Sequence, residues 1–114
     1  MRGEPLQISI NPGQSNNEVV LQLAGPLILD NLFHFQRAWR EQTAPSITVD
    51  MSRVPYVDSS GVGSLVNIYV SRQKVGGTVR LLGVSDRVMT ALAVTRVDKI
   101  FAIGDGPRST AAQA

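Results

Sequence analysis

"SITVDMSRVPYVDSSGVGSLVNIYVSRQKVGGTVRLLGV", residues 46–84, is the stretch whose reading decides the fold. It opens on a β-branched run, Ser46–Ser52, bounded by Pro45 and Pro55, and its near-continuous apolar character suits a central strand covered on both faces. Val62, Leu65, Val66, Tyr69 and Val70 then follow the i, i+3, i+4, i+7, i+8 rule, predicting a helix with one apolar face that runs to about Lys74. Gly76 and Gly77 stop it, and Thr78–Val84 reads as a second strand. Strand, helix and strand form a βαβ unit, whose two strands should be parallel with a right-handed crossover.

Upstream of this unit, Leu6, Ile8 and Ile10 alternate with polar residues, "NPGQSNN" supplies turn chemistry, and Glu18–Gly25 resumes an apolar pattern. These are two antiparallel strands. From Asp30 or Asn31, either of which can cap a helix, Leu32, Phe35 and Trp39 recur at helical spacing, and the helix should end before Pro45. Downstream, Ser85 or Asp86 can cap a third helix with Val88, Met89, Leu92 and Ala93 on its buried face, and "KIFAIG" can add a last short strand. The fold class is therefore α/β: a mixed sheet of four to five strands with three to four helices, packed mainly on one side or split across it. Residues 1–104 are expected to form a single domain, and 105–114, small and weakly patterned, a frayed tail.

Composition narrows the function classes. With 114 residues and 43% apolar content the chain can bury one core without staples. It has no cysteine, so disulfides and thiol catalysis are excluded, and a reducing cytoplasm is the expected location. Eleven basic residues against nine acidic ones leave a scattered charge of +2, which argues against nucleic acid as a partner. The N-terminus lacks the apolar core of a signal peptide and the longest apolar runs are short, so neither export by that route nor membrane insertion is expected.

The chemistry concentrates in "YVDSSGVGSLV", residues 56–66, where a strand hands over to a helix. The first four amides of a helix lack internal partners, and one Ser or Asp side chain accepting from them contributes about 1 kcal/mol. A cap explains one such residue, not Asp58, Ser59 and Ser60 together with Gly61 and Gly63, since glycine in a first helical turn costs about 1 kcal/mol against alanine. Bare backbone would repay that cost if a phosphate, a nucleotide or another protein came close to the helix end.

Residues 6–103 resemble the STAS domain (sulfate transporter and anti-sigma factor antagonist), and specifically the free-standing antagonists, through Asp58-Ser59-Ser60-Gly61-Val62-Gly63, the Gly76-Gly77 turn and the "RLLGVS" strand. The resemblance implies partner switching: an anti-sigma factor that is also a serine kinase binds the unmodified antagonist, phosphorylates the serine after the aspartate, here Ser59, and is released until a phosphatase resets it. Ser60 is the alternative acceptor. The implied partner surface comprises Asp58, Ser59, Ser60, Gly61, Val62, Gly63 and Asp30, with no cofactor, metal ligand or catalytic residue. The antagonists usually carry Gly-x-Leu-Asp after the second strand; here Gly25 and Leu27 match, Ile28 stands at the aspartate position and Asp30 comes two residues later. That departure leaves the expected fold intact and bears on the identity of the partner: it suggests a divergent branch, one serving a different kinase, a phosphorelay or a multi-STAS signalling assembly.

Other classes fit less well. "GVGSLV" is a partial dinucleotide fingerprint, with Val66 where the third glycine belongs. A serine hydrolase would need G-x-S-x-G, which is absent, and His34 is the only imidazole, on another helix. Phe33, Phe35 and Trp39 read as core and flank residues. The competing class is a non-switching adaptor, in which the same helix end docks a subunit of a transport, lipid-handling or signalling complex; a homodimer is compatible with either.

Overall fold

The computed structural model describes residues 4–104. Gln7–Pro12 (β1) and Glu18–Ala24 (β2) form an antiparallel pair, with Gln7 opposite Ala24 and Pro12 opposite Val19. Leu32–Arg40 (α1), Ser46–Arg53 (β3), Ser59–Lys74 (α2), Val79–Leu82 (β4), Asp86–Val94 (α3) and Ala102–Gly104 (β5) follow. The five strands lie in chain order, and β2, β3, β4 and β5 are mutually parallel through the helical crossovers. The expected mixed sheet is present, with five strands and three α-helices.

All three helices pack on one face. Leu21, Leu23, Ile47, Val49, Met51 and Leu81 from the strands meet Phe35, Leu65, Ile68, Val88 and Leu92 from the helices in one cluster. Complete burial of such a side chain contributes roughly 1.5–3 kcal/mol. The expectation that β3 is covered on both faces is corrected here. Thr48 and Asp50 occupy its other face and are buried by neighbouring polar side chains rather than by a helix. The Asp50 carboxylate accepts from the Ser52 hydroxyl at 2.7 Å and from Gln22 Nε2 at 3.4 Å, and the Thr48 hydroxyl donates to Glu18 at 2.8 Å. A buried polar group is tolerated where its hydrogen bonds are made, as these are.

Helix phases also differ in detail from the pattern. In α2 the buried stripe is Val62, Leu65 and Ile68, while Val70 is exposed. In α3 Val88 and Leu92 are buried, Met89 is half-buried and Ala93 faces solvent. The Ser85 hydroxyl, not Asp86, caps α3, accepting from the Val88 amide at 3.1 Å. At the far end of α2, Gly76 takes φ +76°, and the Gly77 amide closes on the Arg72 carbonyl at 2.8 Å. The segment 105–114 lies outside the described residues.

Candidate functional site

Parallel strands deliver their connections to one edge of the sheet, and the start of α2 sits at that edge between two other segments. On one side, the chain leaving β2 runs beside the chain leaving β3: the Leu27 amide donates to the Tyr56 carbonyl at 3.2 Å, and the Asp58 amide to the Leu27 carbonyl at 3.3 Å. On the other side, the Arg87 guanidinium, in the first turn of α3, lies 4.8 Å from the centre of the Tyr56 ring.

Asp58 joins the first of these segments to the helix. One carboxylate oxygen accepts from the Gly61 amide at 2.8 Å, which caps α2. The other accepts from the Leu29 amide at 3.1 Å, at the start of a 3-10 turn over Leu29–Asn31. Ile28 occupies the N-cap of that turn and makes no side-chain cap. Asn31 does not cap α1 either; it is buried, and its amide donates to the Pro26 carbonyl at 2.8 Å and the Glu4 carbonyl at 3.1 Å.

The motif residues divide by direction. Ser59 is exposed at the first position of α2, and Ser60 is half-buried. Gly61 is buried beneath Leu27, whose carbonyl oxygen takes the space a Cβ would need. Val62 belongs to the core, so it positions the surface without being part of it. Gly63 is exposed, with nothing within 4 Å of where a Cβ would stand. Asp30 is exposed in the turn beside Leu29. Of the two glycines, one serves internal packing and only the other leaves bare backbone outward.

Beyond the motif lies a feature that sequence reasoning missed. A groove of about 400 Å³ runs between α1 and α2, lined by Leu29, Phe33, Gln36, Trp39, Gly63 and Asn67 among others. Phe33, expected in the core or on its flank, is 86% exposed on its rim, and Leu29 is 65% exposed. Among the described residues no group of three or more potential ligands could hold a metal, and no helix is long and apolar enough to cross a membrane.

Comparison with known proteins places this arrangement. The STAS domain family model matches residues 9–112. This chain belongs to the STAS family. Among its relatives is a candidate anti-sigma factor antagonist of Thermotoga neapolitana, a homolog of TM1081, 37% identical over 59 residues, which are 52% of this chain and 52% of that protein. The TM1081 crystal structure from Thermotoga maritima matches with TM-score 0.80 at 24% identity, covering 93% of this STAS domain chain and 92% of that one. The intermembrane phospholipid transport system binding protein MlaB of Escherichia coli is 38% identical over 71 residues, 61% of this chain and 72% of MlaB. The anti-sigma factor antagonist SpoIIAA in its unphosphorylated form shares the fold, with TM-score 0.74 at 19% identity and 93% coverage of each chain.

Proposed function

We propose that this STAS domain is an anti-sigma factor antagonist that works by partner switching, with Ser59 as the phosphorylated residue. Unmodified, it binds an anti-sigma factor with serine kinase activity; phosphorylated, it releases that partner until a phosphatase restores it. The observation that carries the proposal is the division of labour at the start of α2: Asp58 performs the capping, and the neighbouring Ser59 stands exposed and takes no part in the cap.

The physics fits a switch. A phosphate at Ser59 brings a charge of about −1.5 to −2 to a helix N-terminus, where the helix dipole favours an anion. A partner packed against the neutral hydroxyl would then have to bury a dianion beside the Asp58 carboxylate. Misplaced interfacial charge costs on the order of several kcal/mol, and about 3–4 kcal/mol weakens binding several hundred-fold. On this account the domain binds and regulates and catalyses nothing.

The similarity to MlaB favours a second function, that of a non-switching adaptor in a transport or lipid-handling assembly. Incubation with the kinase partner and ATP, followed by mass spectrometry, separates the two. Phosphate on Ser59, with weaker binding by Ser59→Asp, supports switching. No modification, with binding unchanged in Ser59→Asp, supports the adaptor, and phosphate on Ser60 keeps the switch and moves its residue.

A further inference from the structure

We propose that the hollow between the C-terminal ends of α1 and α2 binds a phosphate group, free or as a monoester. It measures about 520 Å³ and is lined by Trp39 and Arg40 from α1 and by Asn67, Ser71, Arg72 and Lys74 from α2. Among the described residues, the two buried side-chain nitrogens that lack a hydrogen-bond partner are Trp39 Nε1 and Arg72 Nε, and both belong to this lining. Their side chains are only 5% and 9% exposed. A buried N–H without an acceptor costs about 1–3 kcal/mol, so two of them in one wall mark a place for an acceptor that the chain itself does not supply. The hollow lies at the opposite end of α2 from Ser59, and the proposal is independent of the switch there.

Charge identifies the acceptor as an anion. Arg40, Arg72 and Lys74 line the hollow and no carboxylate does; neither helix contains Asp or Glu, and Glu41, exposed at the C-cap of α1, lies outside the lining. Cations in a last helical turn complement the helix dipole, and the Arg72 Nη groups donate to the Ala44 carbonyl at 2.8 Å and the Ser71 hydroxyl at 2.9 Å. Those roles account for the charges and leave both N–H groups without an acceptor. Arg40 lies over the Trp39 ring, its guanidinium carbon 5.6 Å from the centroid, and is exposed, so it can shift onto an entering anion without unpacking the core. Donors reaching in from two helices, with three positive charges, match a phosphate dianion and its several acceptor oxygens better than a planar, singly charged carboxylate. Val70 and Val75, 45% and 58% exposed in the same wall, offer contact to the apolar part of an ester.

The chain has one tryptophan, so its indole N–H gives a single resonance in a proton–nitrogen correlation spectrum, and that resonance reports on the nitrogen concerned. Titration of the full chain with inorganic phosphate, and separately with butyl phosphate, at constant ionic strength should move it saturably at about millimolar concentrations. Tighter binding of butyl phosphate identifies an ester as the ligand; equal affinity identifies free phosphate. Lys74→Gln and Arg40→Gln should each weaken binding about fivefold. Arg80→Gln removes the same charge beside Thr48 on the open face of the sheet and should leave binding unchanged. Unfolding midpoints matching the wild type show that the variants are folded. An indole resonance that neither phosphate moves, or that sodium chloride moves equally, overturns the proposal, as does wild-type affinity in both Lys74→Gln and Arg40→Gln.

Discussion

The main-chain carbonyl of Leu27 lies where a side chain at Gly61 would have to go, so the first glycine of the motif is explained by the chain's own packing. Gly63, two residues on, meets nothing. The two glycines should therefore respond oppositely to one methyl group. Gly61→Ala should destabilise the domain by about 2–3 kcal/mol, because rigid backbone must move. Gly63→Ala should stabilise it by about 0.5–1 kcal/mol, since alanine is the better helix former and the space is open. Urea unfolding of both variants reads the difference directly.

Asp58 holds two amides from segments that are distant in sequence, those of Leu29 and Gly61. Asp58→Ala should cost about 1–2 kcal/mol by removing the cap and leaving both amides without this acceptor. Asp58→Asn keeps one acceptor oxygen, and its midpoint in urea should fall between those of the wild type and Asp58→Ala.

Asn31 offers its amide to two carbonyl oxygens, those of Pro26 and Glu4. Asn31→Asp replaces that donor with an acceptor of nearly the same shape, and the domain should lose about 2–3 kcal/mol at neutral pH. Thermal unfolding checks this. A melting temperature equal to that of the wild type would show that the 26–31 segment is held by something else.

Much of the architecture was legible because periodicity is local. The βαβ unit, the opening hairpin and the third helix all follow from spacing that a packed face imposes. The error at β3 came from weighing its apolar content over its alternation. Ile47, Val49 and Met51 face the helices and Thr48 and Asp50 face away, a period of two that marks a half-covered strand. Phe33 shows a similar limit. It stands two residues, and so about 200° of helix, from the fully buried Phe35, so both cannot face the core.

The site was legible in part. Ser59 lies at the helix start, as the Asp58-Ser59-Ser60-Gly61 motif indicated. What no local pattern carries is contact between segments about thirty residues apart, and this is how Leu27 comes to cover Gly61 and Asp58 to hold Leu29. The groove arises in the same way, since its two walls belong to different helices.

The most direct measurement places phosphoserine at position 59 and follows two quantities together: the unfolding midpoint, and the affinity for the anti-sigma factor proposed as partner. An exposed anion at the helix N-terminus should leave the midpoint near that of the wild type while the dissociation constant rises roughly a hundredfold or more. Equal affinity for the two forms, or a phosphorylated domain that no longer folds, would contradict the account.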